Sequence, residues 1–225
     1  MHNERDVMRG RGKPAVADAQ VEVLTIGHST LPYERFLGLL RRCSVTAVAD
    51  VRTAPYSRYS PHFNRDALRK ELGHDGIAYV FLGHELGGRP KDKQLFRDGV
   101  ADYEKMARLA EFAKGLNRVV DGAKKYRIAM MCSEHDPLDC HRCLLVGRAL
   151  HAQGVTVRHI LFDESLVDQA AVEDRLMELS RQADDDLFAS RDQRVAIAYR
   201  ARAAKVAYVE NKSDAGEVAA MEQRA

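Results

Sequence analysis

Four short clusters in this sequence carry residues suited to chemistry. They are Gly27-His28-Ser29-Thr30; Asp50-Val51-Arg52 with Pro55, Ser57 and Arg58; Gly83-His84-Glu85-Leu86-Gly87-Gly88-Arg89; and Cys132-Ser133-Glu134-His135-Asp136-Pro137, followed by Cys140-His141-Arg142. Glu134 leads the acid/base candidates, with Asp50, Glu85 and His28 beside it. Carboxylates stabilise a cationic transition state or activate water, and imidazole moves protons near neutral pH. Arg52, Arg58 and Arg89 offer guanidinium forks to a phosphate or carboxylate, and Gly87-Gly88 lets backbone N–H groups approach such an anion. Ser29, Ser57, His141 and Arg142 complete the expected substrate-binding set, while Tyr59 and Phe63 supply rings on which a base could stack.

Each of these residues also has a purely structural reading. His28 could satisfy a turn, Asp50 could pair with Arg52 or Arg89, and Glu134 could be an acid favoured by a helix dipole. Cys132, Cys140 and His141, spaced C-x7-C-H, could give zinc three ligands, with Cys143, His28 or His84 as the fourth. The paired C-x2-C knuckles of structural zinc sites are missing, so the first expectation is no cofactor and zinc is the alternative. In the bland version one thiol ends a strand and the other packs on a helix face. A nucleophilic Cys132 with His28 as its base ranks below both. No G-x-G-x-x-G follows a strand and no G-K-[ST] occurs, which argues against nicotinamide and P-loop nucleotide binding.

The elements that must position these clusters are read from hydrophobic patterning. Val21–Gly27, Thr46–Val51, Ile77–Leu82, Arg127–Cys132 and Thr156–Leu161 read as strands. Helical patterns lie between them. One carries Tyr33, Phe36, Leu37 and Leu40, with Thr30 as its cap and Pro32 in its first turn; another runs from Asn64 to Leu72 and stops at Gly73. Met106, Leu109, Ala110 and Ala113 form a third stripe, and Pro137 to Ala152 forms a fourth helical segment. Strands alternating with helices predict an α/β fold: a mostly parallel five-stranded sheet with helices on both faces. The chemical clusters then fall at the C-terminal ends of strands, where open parallel sheets bind ligands. Residues 1–20 read as a flexible arm, 21–162 as the domain carrying the site, and 163–225 as a helical tail. In that tail Leu166, Ala170, Leu176 and Leu179 mark one helix, Leu187 to Tyr208 a second, and Asn211–Ala225 a frayed end. The tail helices could pack on the sheet domain or form a homodimer contact.

Composition narrows the class. The 225 residues are 45% hydrophobic and 30% charged with a net charge of +2, an ordinary globular balance without a bulk electrostatic grip on nucleic acid or membrane. No apolar run is long enough to cross a bilayer, and the charged N-terminus lacks a secretory signal. Four cysteines are too sparse for a disulfide scaffold, so they read as reduced thiols of a cytoplasmic protein.

Taken in order, T-I-G-H-S-T, D-V-R-x-x-P-x-S-R, G-x-E-L-G-G-R and C-x-E-x-D-P-x-x-C-H-R resemble a bacterial and archaeal family, number 488 among the domains of unknown function. The resemblance covers Val21 to Phe162. It implies an α/β domain whose signature positions here include His28, Asp50, Arg52, Glu85, Gly88, Arg89, Cys132, Glu134, Cys140, His141 and Arg142, and it brings no reaction. The residues themselves lead to a hydrolase acting on a nucleotide or nucleic acid, by N-glycosidic cleavage as in a DNA glycosylase, with phosphoester hydrolysis not separable. The alternative is a non-catalytic module that binds an anionic ligand or senses thiol or metal state.

Overall fold

The computed structural model describes residues 20–180 and 189–210. In chain order the described elements are β1 (Glu22–Gly27), α1 (Tyr33–Arg42), β2 (Ala47–Asp50), α2 (Arg65–His74), β3 (Ala78–Phe81), the short α3 (Gly83–Leu86), β4 (Phe96–Arg97), β5 (Val100–Ala101), α4 (Tyr103–Met106) and α5 (Ala110–Ala123). They continue with β6 (Ile128–Cys132), a π-helical turn (Arg142–Gly147) running into α6 (Arg148–Ala152), β7 (Thr156–Ile160), β8 (Leu166–Asp168), α7 (Gln169–Leu179) and α8 (Arg191–Val206). The expected arm at 1–20 lies outside the described residues except for its last member, as do Leu187 and the stretch 211–225.

The five expected strands form, and a sixth joins them in the order β3-β2-β6-β1-β7-β8. The first five in that order are mutually parallel, whereas β8 runs antiparallel to β7. The α/β class is therefore as read, with the sheet one strand wider. Alternate residues of the central strands enter opposite layers. Ile128, Met130 and Cys132 of β6 pack with α5, the π-helical turn, α7 and α8, while Ala129 and Met131 pack with α1 and α2. Helices on both faces follow from this period of two in central strands that are buried at successive positions.

Several boundaries differ from the expectation. Leu166 begins the edge strand β8 rather than a helix, because three residues ending in Asp168 give almost no strand periodicity. Pro32, not Thr30, is the residue before α1. Asn64 precedes α2, but its side chain accepts from the Ser57 N–H at 2.7 Å instead of capping, and α2 runs past Gly73 to His74. The Met106–Ala113 stripe divides between α4 and α5. After Pro137–Asp139 makes one 3-10 turn, Cys140 is extended (φ −134°, ψ 138°), so Pro137–Ala152 is not one helix and Cys140 does not lie on a helix face. A small hairpin, β4–β5, is new. It turns at Asp98-Gly99, both with positive φ, the pattern that an Asp-Gly pair favours between strands.

The tail helices pack on the sheet domain through a buried polar relay. Thr25 Oγ1 lies 2.7 Å from His159 Nδ1, His159 Nε2 lies 2.8 Å from Gln169 Oε1, and Gln169 Nε2 donates to the Tyr199 hydroxyl at 2.6 Å. That hydroxyl in turn donates to Glu173 at 2.9 Å. His159 Nε2 donates to the Gln169 carbonyl oxygen, and with the ring neutral the Thr25 hydroxyl donates to Nδ1. Burial and the nearby Arg142 charge lower its pKa to about 4. Above pH 6.5 the folded and unfolded chains both hold this histidine neutral, so its contribution is fully present. As pH falls from 6.5 towards 4 the unfolded chain binds the proton first, and stability is lost by about 1.4 kcal/mol per pH unit, roughly 3 kcal/mol in all. His159→Gln, whose amide can accept from Thr25 and donate to Gln169, removes this loss. Denaturation curves of the two proteins should converge as pH falls; a constant gap between pH 7 and pH 4 would count against the neutral relay.

Candidate functional site

The C-terminal ends of β1, β2 and β6 are adjacent, and the loops leaving them meet over the sheet. The chain beyond β1 extends the ladder: His28 N–H donates to the Cys132 carbonyl at 2.9 Å and Ser29 N–H to the Ser133 carbonyl at 2.8 Å. Ser29 has φ 44°, in the left-handed region that non-glycine residues seldom occupy. This bend returns the Ser29 carbonyl to His28 Nδ1 at 2.8 Å. His28 Nε2 is then the acceptor for Arg52 Nη1 at 3.1 Å. Burial and the Arg52 charge lower the pKa of His28 to about 4, and its ring stacks on Phe63 with centroids 4.2 Å apart.

Asp50, wholly buried at the end of β2, grips the same arginine. Arg52 Nε donates to Oδ1 at 2.9 Å, Nη2 to Oδ2 at 2.6 Å, and the Arg52 N–H to Oδ1 at 3.1 Å. Tyr79 donates to Oδ2 at 2.7 Å, and the Phe63 carbonyl accepts from Arg52 Nη2 at 2.8 Å. Asp50 and His28 therefore act on Arg52, which they hold in one orientation.

A second cluster lies beside Arg52. Cys132 ends β6, Glu134 follows it, and the extended Cys140 with His141 brings the other side of the loop back. One ligand atom from each of Cys132, Glu134, Cys140 and His141 lies within 4.8 Å of all the others. Cys132 Sγ is 3.6 Å and Cys140 Sγ 4.0 Å from His141 Nδ1, and Cys140 Sγ donates to Glu134 Oε2 at 2.8 Å. His141 Nε2 lies 2.9 Å from the Val51 carbonyl, so Nε2 carries a proton and Nδ1 is the nitrogen that faces the thiols. Burial raises the Glu134 pKa, and burial raises that of Cys132. Arg142 is fully buried and locks the loop, Nη1 donating to the Glu134 carbonyl at 2.7 Å and Nη2 to that of His135 at 2.9 Å. Gly88 of the third cluster is explained by close approach here. A Cβ on Gly88 would lie 2.7 Å from Cγ of His141, so the imidazole occupies the space a side chain would need.

The two clusters open into one cavity of about 130 Å3, lined by Arg52, Gly88, Arg89, Cys132, Ser133, Glu134 and His141 from the expected regions. Tyr103 and Tyr208 also line it, and sequence reasoning missed both. Tyr208 is brought there by the tail, whose carbonyl at Tyr208 accepts from the Ala101 N–H at 2.8 Å. The Asp98-Gly99 turn signal was the available clue to the hairpin that receives it. Arg89 is exposed, and its guanidinium lies 5.2 Å from the centroid of the Tyr208 ring.

Other expected site residues lie apart. Glu85 pairs with Arg118 and lines a larger cavity of about 420 Å3 beside β3, together with Arg65, Arg69 and His84. That cavity is roomier but has none of the thiols, and its one expected acid is already paired. Phe63 is completely buried under His28, so its ring is not available to stack a base. Tyr59 is 92% exposed and Arg58 is also exposed; neither lines the smaller cavity. Ser57 is spent on its own loop, its hydroxyl accepting from the Tyr59 and Ser60 N–H groups at 3.2 Å each. Gly87 N–H donates to the Gly83 carbonyl at 3.2 Å. His84 is at the larger cavity, and Cys143 is hydrogen-bonded by Gln169 in the tail relay, so neither joins the thiol cluster.

The family model described as Domain of unknown function DUF488 matches residues 32–149, more than half of the chain. The matched stretch holds the Asp50–Arg52 pair and the Cys132–Arg142 loop, while β1 with His28 and β7 fall outside it. No curated protein and no solved structure matches the chain.

Proposed function

We propose that this chain, which belongs to the DUF488 family, is a hydrolase that cleaves an N-glycosidic bond in a nucleotide or nucleic acid at the cavity lined by Glu134. The observation that carries the reading is the carboxylate of Glu134 sharing a small cavity with two arginines, Arg52 and Arg89, while the second acid in the lining, Asp139, is paired with Arg202. In this reading the exposed Arg89 offers its guanidinium fork to the substrate phosphate, and Arg52, whose own fork is held by Asp50, adds only its remaining Nη1 N–H. Arg52 is pre-oriented because His28 and Asp50, the latter itself held by Tyr79, fix it. Glu134 takes a proton from water as the water oxygen bonds to the anomeric carbon. The carbon–nitrogen bond breaks with its electron pair on the base nitrogen, which takes a proton from solvent, and Glu134 then returns its proton to solvent. The negative Glu134 carboxylate also stabilises the oxocarbenium-like charge that develops as that bond stretches. Tyr208, half-buried at the cavity, takes the stacking role given in sequence to Tyr59 and Phe63. A base in duplex DNA would have to be flipped out to reach this cavity.

The test is a screen of nucleosides, nucleotides and oligonucleotides for released base, with Glu134→Gln run in parallel. The variant should lose about a hundredfold or more in turnover while retaining substrate binding. Phosphate released in place of base would assign phosphoester hydrolysis instead. Binding of an anionic ligand without turnover of any substrate would make the site a binding module.

A further inference from the structure

The geometry points to a zinc-class divalent ion held by Cys132 Sγ, Cys140 Sγ and His141 Nδ1, with a fourth position open to the cavity and to Glu134. Tetrahedral zinc with bonds of about 2.3 Å to sulfur and 2.0–2.1 Å to nitrogen requires sulfur–nitrogen separations of about 3.6 Å. The two found here are 3.6 and 4.0 Å. Two thiolates and an imidazole are the soft and borderline donors that select zinc over magnesium or calcium.

Three further features favour a ligand set over a chance meeting of buried side chains. His141 donates its other nitrogen to a backbone carbonyl at 2.9 Å, the arrangement that fixes the tautomer and ring plane of metal-bound histidines. The Arg142 N–H points at Cys140 Sγ at 3.4 Å, and the Arg142 side chain pins the carbonyls of the intervening loop, so the second sulfur is placed by backbone as well as by its own rotamer. Gly88 leaves room for the imidazole. Binding would release the two thiol protons to solvent and replace the Cys140–Glu134 contact by sulfur–metal coordination. The freed carboxylate would then stand beside the open position, where a bound water is acidified. The ion would supply water activation, while Glu134 accepts the proton. The metal site stands whether or not the substrate proposed above is correct.

The experiment is metal analysis of the full chain purified under reducing conditions, followed by exchange with cobalt(II). Stoichiometric zinc is expected, and the cobalt form should show a thiolate-to-cobalt charge-transfer band with intense tetrahedral ligand-field bands. Gly88→Ala, which presses on the imidazole, should weaken zinc about 10- to 100-fold. Cys140→Ser should abolish the charge-transfer band or sharply reduce it. Glu134→Gln should keep the cobalt spectrum. Should the cysteine variant fail to fold, wild-type cobalt spectroscopy decides alone. A folded, reduced wild type that takes up neither zinc nor thiolate-bound cobalt overturns the inference, as does a Cys132–Cys140 disulfide in protein isolated without oxidant. Loss of turnover in Glu134→Gln without metal in the wild type would sink the metal site only. Bound metal with no released base would sink the glycosidic reading only.

Discussion

Asp50→Asn is expected to cost about 3 to 5 kcal/mol of stability, as removing one partner of a buried ion pair does. The substitution keeps the shape of the side chain and deletes its charge. Arg52, with 4% exposure, then has no anion to answer it. The geometry compounds the loss. Oδ2 accepts from both Arg52 Nη2 and Tyr79 Oη, so an amide NH2 there would meet one donor that cannot turn into an acceptor. If the amide flips, the clash moves to Oδ1, which accepts from Arg52 Nε and the Arg52 N–H. Neither orientation escapes. Urea denaturation at unchanged m measures the effect as a fall in midpoint. Replacing Asp50 and Arg52 together by leucine and methionine should restore much of the loss, since an apolar pair leaves no charge uncompensated. A single variant within about 1 kcal/mol of wild type would mean that water reaches Arg52, and the rigid placement assumed for it would fail.

The same arginine shows where sequence reading succeeds and where it stops. Asp50 at the end of an apolar strand announces a paired carboxylate, because an unpaired one there would be costly. Both Arg52 and Arg89 were available partners. Arg52 wins because, two residues on, it can return its fork and its own N–H to the same carboxylate. Arg89 belongs to a loop held to Thr53 and faces the cavity from the other side. Glu85 and Glu134 both follow strands, which in sequence places them in one group. The partner of Glu85, Arg118, lies on α5, and nothing local in the sequence records that packing.

Strand ends were legible because β2 and β6 are buried at every position and β1 at all but its first, a pattern set by burial on both sheet faces. The return of Cys140 to Cys132 was not. Pro137 read as the start of a long helix, yet Asp136 caps a single 3-10 turn by accepting from the Leu138 N–H at 2.8 Å. The chain then extends at Cys140 before the π-helical turn begins, and that break brings the second sulfur to the first. Without it, the C-x7-C-H spacing would look unpromising. Tyr208 illustrates a different limit: its place at the cavity depends on the tail crossing to β5, a pairing made by the isolated bridge between Val100 and Val209.

Gly27→Ala should be nearly as damaging as the loss of Asp50, and for a reason confined to one atom. A Cβ at residue 27 would fall inside the van der Waals envelope of the Glu134 carbonyl oxygen, 2.9 Å from its carbon and 3.0 Å from Arg142 Nη1. β1 cannot retreat, since Gly27 is registered with Cys132 on one side and the His28 and Ser29 N–H groups continue that ladder. The loop after β6 must move instead, and with it the carbonyl that accepts from the buried Arg142 at 2.7 Å. Overpacking contributes about 1–3 kcal/mol, and weakening a charged hydrogen bond in the interior adds about 1.5–3 kcal/mol, so a total of about 3 to 5 kcal/mol is expected. The displaced loop carries Ser133 and Glu134 and lies between the two sulfurs. A Gly27→Ala protein that still folds should therefore lose turnover and zinc together, measured by base release and by the cobalt charge-transfer band. The Gly88 variant disturbs only the imidazole side of the cluster, so its metal loss should come with a much smaller loss of stability. Comparable thermal shifts in the two glycine variants would contradict that division of the loop from the ring.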